Sequence, residues 1–178
     1  MIGAPYAHVS MVLDDQHLAL LSEQYEASVG DAGFVRYRCC DPPGPDSGRV
    51  NTIAWLGHNN WEWLHERLRR IVKRVNDENW GLGVDGFQEL QFTRYLPGEG
   101  YGWHSDVKHG SGDQHSRRTV SMVVLLKNPD GGGGIELQDL GVVRLKPGDA
   151  VVFPSDTIHR ALPVLSGVRE SLIYWTGR

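Results

Sequence analysis

The sequence predicts an α+β, mainly β fold, a sandwich or jelly roll buttressed by N-terminal helices. Three observations carry this. Residues up to Asn79 hold two helix-like periodicities, residues beyond it read as short apolar runs, and clusters rich in Gly, Pro, Asp and Asn separate those runs. Many short strands at close spacing favour a sandwich or jelly roll over alternating βα units. The chain has 178 residues, 40% of them hydrophobic, with 22 Gly besides. That is one domain's worth, with enough apolar material for a core.

The elements follow in order. Asp14 or Asp15 can cap a first helix carrying Leu18, Leu21 and Tyr25. Cys39–Gly48, with three prolines and two glycines, reads as a surface loop, and Val50–Leu56 as a strand. Asn60 stands ahead of a second helix, on which Leu64, Leu68, Ile71 and Val75 recur at intervals of four, three and four. Its other face, Glu66, Arg67, Arg69, Arg70, Lys73 and Arg74, reads as solvated. Strands are then expected at Phe87–Tyr95, Arg118–Leu126, Ile135–Gln138, Val142–Leu145, Ala150–Phe153 and Val168–Trp175. Pro97-Gly98, Asn128–Gly134, Pro147-Gly148-Asp149 and Ser166-Gly167 separate them. No repeat or linker divides the chain. A single domain is expected, with helical support over about 12–80 and a β core over about 87–176.

Composition excludes several classes. The net charge of −4 gives no basic footprint for nucleic acid. Thr119–Leu126 is too short to cross a bilayer, and no basic-then-apolar leader opens the chain. Cys39 and Cys40 are adjacent and suggest no disulfide scaffold. The expectation is a soluble cytoplasmic protein with neither membrane nor nucleic acid as partner.

Two of the eight histidines stand out. His8, His17, His58 and His65 read as surface or capping residues, and His109 and His115 sit in a polar loop. His104 and Asp106, two apart in an extended segment, project to one side and can offer an imidazole nitrogen and a carboxylate oxygen to one ion. His159, after the strand Ala150–Phe153, is a candidate third ligand. Two histidines and one carboxylate form the facial set of non-haem Fe(II) and leave positions open. Zinc is more often closed by further ligands with Cys represented. Alone, His-x-Asp with a distant His is a weak signal. Arg169 strengthens it: a hairpin across Leu165–Gly167 would set its guanidinium deeper than the metal site, where it can clamp a carboxylate, with Ser171 on the same strand face. The alternative is an ion pair with a neighbouring strand.

The segments Gln91-Phe92-Thr93-Arg94-Tyr95-Leu96-Pro97-Gly98-Glu99-Gly100-Tyr101-Gly102-Trp103-His104-Ser105-Asp106, Gly133-Gly134-Ile135-Glu136-Leu137, Lys146-Pro147-Gly148-Asp149-Ala150 and His159 to Arg169 jointly carry a resemblance. It is to the iron- and 2-oxoglutarate-dependent dioxygenases, within them the prolyl 4-hydroxylase-like group, and it covers about half the chain. The resemblance implies a double-stranded β-helix, Fe(II) on His104, Asp106 and His159, and 2-oxoglutarate anchored by Arg169 and Ser171. O2 is the implied oxidant, and ascorbate is admitted as an accessory. Tyr95 and Tyr101 match tyrosines near the cosubstrate, and Trp175 is similar to a tryptophan on the substrate side. Collagen-type relatives place lysine where Arg169 stands. Oxygen-sensing relatives carry a tyrosine where Val123, Val124 and Leu125 stand here.

Among other substrate-side candidates, Arg94 and Arg118 face either the cavity or solvent, and Trp103 either the core or the site. Cys39–Gly48 and Val107–Ser116 are candidate lids. The implied reaction is C–H hydroxylation of a prolyl residue in a protein or peptide, with 2-oxoglutarate converted to succinate and CO2. Three alternatives stay open: a free amino-acid hydroxylase, a nucleic-acid oxidative demethylase, and a non-catalytic cupin-like binding module. Oligomeric state is not legible.

Overall fold

The computed structural model describes residues 3–28, 35–39, 48–107, 112 and 114–178. Two helices, α1 (Asp15–Ser28) and α2 (His58–Asn79), lie among thirteen strands. These are β1 (Ala7–Val9), β2 (Val35–Cys39), β3 (Arg49–Trp55), β4 (Phe87–Tyr95), β5 (Gly100–His104), β6 (Arg118–Lys127) and β7 (Gly131–Gly132). The remainder are β8 (Ile135–Leu137), β9 (Gly141–Val143), β10 (Ala150–Pro154), β11 (His159–Ala161), β12 (Val164–Ser166) and β13 (Arg169–Gly177). Among the described residues, eleven strands form one antiparallel sheet in the order β1-β10-β6-β13-β4-β3-β5-β11-β8-β9, with β2 on the edge of β3. β12 and β7 make a separate pair. The large sheet curls on itself, and the fold is the jelly-roll β-helix.

Strand alternation separates two interiors. On β6, Val120, Met122 and Val124 face the helices, as do Leu172 and Tyr174 of β13; all are buried with Leu64, Leu68, Val72 and Val75 of α2. The opposite parity, with Val123, Val151, Phe153, Ile135 and Leu137, lines the inside of the curl. One sheet thus has a dry helix-covered face and a concave face free to build a site. Asn76 ends α2: its carbonyl accepts from the Trp80 and Gly81 N–H groups, while its side-chain amide bonds both N–H and C=O of Leu82.

Several sequence expectations are corrected. Helix α2 begins at His58, is kinked at Trp61, and buries Val72 fully, whereas Ile71 is half-buried. His65 is buried, its Nε2–H donating to the Leu56 carbonyl at 2.8 Å. The hairpin across Leu165–Gly167 does not form: β11 pairs with β5 and β8, β13 with β4 and β6, so the chain crosses between the two halves of the curl there. Of the candidate lids, residues 40–47, 108–111 and 113 lie outside the described residues. Gln114–Arg117 is a short 3-10 turn.

The Lys146–Asp149 corner joins the N-terminus to the barrel. Gly148 has φ +89°, and a Cβ there would meet the Leu13 carbonyl oxygen at 2.1 Å, so only glycine fits. Asp149 accepts from the Met11 N–H (3.0 Å) and the Lys146 N–H (3.2 Å), and pairs with His8 (3.2 Å). Burial opposes its charge, but these donors win and hold its carboxyl below the ordinary 3.8. A lowered folded-state pKa gives stability that is present above the ordinary value and lost as pH falls through the lowered one. Asp149→Ala is therefore expected to reduce unfolding free energy at neutral pH by about 2–4 kcal/mol. In urea titrations at successive pH values, the gap from the unaltered protein should narrow progressively below 3.8.

Candidate metal and acid-binding site

Three side chains from two strands and the turn after one of them meet inside the curl. His104 ends β5 and His159 opens β11, directly opposite it in the antiparallel register. Asp106 follows β5 by two residues, its N–H held by the Ser155 carbonyl at 3.0 Å. One ligand-type atom from each of His104, Asp106 and His159 lies within 4.8 Å of the others. Each imidazole is oriented by a backbone carbonyl: His104 Nδ1 donates to Gly102 (2.8 Å) and His159 Nδ1 to Thr157 (2.9 Å). Both Nε2 atoms then turn to the carboxylate, each 3.8 Å from one of its oxygens. Such carbonyl contacts are how a ligating histidine is usually fixed.

Protonation suits ligation. Burial, reinforced by His159 and Arg49, pushes the His104 imidazole down to about 4 against the pull of Asp106 and Gly102, so it is neutral near pH 7. Burial opposes the Asp106 charge, but both imidazoles, the Ser121 hydroxyl and the Trp175 indole outweigh it and lower its pKa. Ser121 donates at 2.7 Å, whereas the buried Trp175 Nε1–H acts through space, with no hydrogen-bond partner among the described residues. Two imidazoles and a carboxylate, pre-oriented and turned to one point, fit a divalent Fe(II)-type ion.

The second feature is a buried charge. Arg169 is 3% exposed at the start of β13, beside Tyr95 of β4. Its guanidinium donates to Ser171 Oγ at 3.1 Å and lies 5.4 Å from the Tyr95 ring; among the described residues no carboxylate pairs with it. Burial pushes its pKa down, opposed by Tyr95. A buried cation without a counter-ion is costly, and an incoming carboxylate would relieve it. Arg169 lines the same cavity, about 120 Å³, as His104, Asp106 and His159.

The other candidates divide between the cavity wall and positions outside it. Tyr95, Tyr101, Arg118 and Trp175 line the cavity. The Tyr101 ring stacks on His104 with centroids 3.5 Å apart. Arg118 is held by Glu89 at 2.7 Å, with its guanidinium 3.8 Å from the Trp175 ring. Arg94 and Trp103 are not part of the lining, a correction to their substrate-side expectation. Arg94 pairs with Glu170 at 2.6 Å, one residue out of phase with Thr93 and Tyr95, and Trp103 lies under Arg160 at 4.4 Å. Sequence reasoning missed Arg49, Trp55, Gln91, Thr93 and His115 in the wall. Gln91 and Thr93 were findable, since they share the parity of Tyr95. Arg49, bonded to Asn51 and Gln91, and Trp55 of β3 enter only through pairing that no local pattern announces.

Comparison with known proteins agrees with this geometry. The family described as the 2OG-Fe(II) oxygenase superfamily matches residues 90–177. The chain is 32% identical over 135 residues to a PKHD-type hydroxylase of Rippkaea orientalis, covering 71% of this chain and 60% of that protein. It is 38% identical over 122 residues to a PKHD-type hydroxylase of Synechococcus elongatus, covering 63% and 55%. The chain thus spans little more than half the length of these relatives. Its fold is similar to that of a Pseudomonas putida prolyl-4-hydroxylase, with TM-score 0.76, 22% identity, and coverage of 98% of this chain and 93% of that one. A Trichoplax adhaerens prolyl hydroxylase, in complex with a hypoxia inducible factor peptide fragment, superposes with TM-score 0.74, 18% identity, and coverage of 97% and 83%.

His104→Ala should abolish binding of one divalent metal ion per chain. Anaerobic calorimetric titration of the metal-free protein checks this; stoichiometric binding by the variant would contradict the site.

Proposed function

The chain belongs to the 2OG-Fe(II) oxygenase superfamily, and from that premise we propose that it is a dioxygenase hydroxylating a prolyl residue in a protein or peptide. One observation carries the reading above all: the guanidinium of Arg169, with no carboxylate partner among the described residues, and the His104, Asp106 and His159 set line a single hollow. A dicarboxylate with one end at each is the ligand class that satisfies both.

His104, Asp106 and His159 would hold Fe(II). With 2-oxoglutarate and O2, the metal supplies C–H oxidation, one oxygen atom entering the substrate as hydroxyl and the other the succinate formed with CO2. The chain's own residues bind, orient and exclude water. Arg169 and the Ser171 hydroxyl take the distal carboxylate, over the Tyr95 ring. Val123, Ile135 and Ile173 keep that end of the cavity apolar. The His104 imidazole, neutral and carbonyl-anchored, need shed no proton before ligating, and the His159 ring is anchored in the same way.

At the outer end, Trp175 and half-exposed Trp55, with ring centroids 6.0 Å apart, form an aromatic wall suited to a pyrrolidine ring. Arg118 spends Nε and one terminal nitrogen on Glu89, leaving donors for a substrate carbonyl. Among the described residues no helix is long and apolar enough to cross a membrane.

The test is succinate formation with mass detection of a +16 product across proline-containing peptides, free proline and single-stranded DNA. Peptide-dependent succinate supports the proposal. Turnover on free proline or DNA alone overturns the peptide assignment, and no turnover with any substrate overturns the activity. Arg169→Ala is expected to raise the KM for 2-oxoglutarate at least about tenfold, the loss of a charge-assisted contact of about 1.5–3 kcal/mol. It should leave metal binding in place; an unchanged KM would remove Arg169 from the cosubstrate site.

A further inference from the structure

Two serines stand beside apolar neighbours on the inner face of β6 and just past β10. Ser121 of β6 and Ser155, immediately after β10, are both 0% exposed, close to Val123 and Phe153. A buried hydroxyl is costly unless its proton and lone pairs are used. Here they are used in series. Ser121 Oγ lies 2.7 Å from Asp106 Oδ2, and Ser155 Oγ lies 2.8 Å from Ser121 Oγ. Each hydroxyl carries one proton. The Asp106 carboxylate can only accept, so Ser121 donates to it and Ser155 must donate to Ser121. The hydrogen bonds run head to tail from Ser155 to Asp106, an order in which each strengthens the next.

Ser155 also grips the same segment by its backbone. Its carbonyl accepts from the Asp106 N–H at 3.0 Å and from Ser105 Oγ at 3.1 Å, and its own N–H donates to Thr119 of β6 at 3.0 Å. The turn it begins leads to His159. One residue therefore ties together the Asp106 main chain, the Asp106 carboxylate, and the approach to the second histidine.

We infer that Ser121 and Ser155 are positioning residues that fix the Asp106 carboxylate toward the two imidazoles, Ser121 by bonding Oδ2 directly and Ser155 by holding Ser121. The inference rests on the Fe(II) reading above and extends it to residues that touch neither metal nor substrate. A hydroxyl-free wall would leave the carboxylate to swing or to chelate through both oxygens. Partners at this remove typically change metal affinity 10–100-fold.

Cobalt(II) titration of the metal-free protein, followed by its visible absorption bands, tests this without turnover. Ser121→Ala should weaken cobalt binding about 10–100-fold and alter the bands. Ser121→Thr, which keeps the hydroxyl, should recover most of the affinity and the native spectrum. Ser155→Ala should weaken binding in the same sense, and adding it to Ser121→Ala should cost nothing more, because the hydroxyls act in series. Native affinity and bands in Ser121→Ala would overturn the inference, as would losses that multiply in the double variant. Should Ser121→Ala not fold, Ser155→Ala alone decides: native affinity overturns the relay. Failure of the unaltered protein to bind cobalt would instead overturn the metal reading itself, and the relay with it.

Discussion

A guanidinium shut inside a protein, with no carboxylate beside it among the described residues, is the constraint on which the rest of this structure turns. Arg169 has a hydroxyl and an aromatic ring for company, and little water. Such a charge persists only where the surrounding fold holds it in place and a ligand completes it. The curl of the sheet does the holding: β13 lies between β4 and β6, and Arg169 itself pairs with Tyr95 of β4. The same curl brings β5 and β11, with their histidines, across the hollow. The His104, Asp106 and His159 cluster and Arg169 thus belong to different parts of one sheet, and neither faces the other unless the sheet closes.

Two Arg–Glu pairs show how strand parity assigns roles. Arg94 with Glu170 and Arg118 with Glu89 are both close cross-strand pairs involving β4. The first lies on the outward phase of β4 and β13, partly exposed, where it contributes little. The second lies on the inward phase, nearly enclosed beneath Trp175, where it stiffens one side of the cavity. The amino acids are the same; a one-residue offset separates a surface contact from a component of the site.

Much of this was legible in the sequence because it depends on local rules. The two-residue period placed His104 and Asp106 on one side, the turn residues marked the strand ends, and the period of α2 exposed its buried stripe. What escaped depends on pairing between distant segments. The hairpin drawn from His159 to Arg169 was reasonable from the glycine turn, but β11 is captured by β5 and β8 instead. Arg49 and Trp55 line the cavity because β3 inserts between β4 and β5, an insertion with no sequence signature. Arg94 and Trp103, each left between two faces by the sequence, are settled by partners on other strands, Glu170 and Arg160. Ser121 and Ser155 were passed over because small hydroxyl residues announce nothing until their partners are known.

Placing Arg169 and Trp175 six residues apart on one strand has a consequence for the dimensions of the hollow they both line. At about 3.3 Å per residue the interval is fixed near 20 Å, and it cannot stretch without unzipping β13 from its neighbours. The strand acts as a gauge block: the separation of the two positions is a matter of backbone length, written into the sheet before any side chain is chosen.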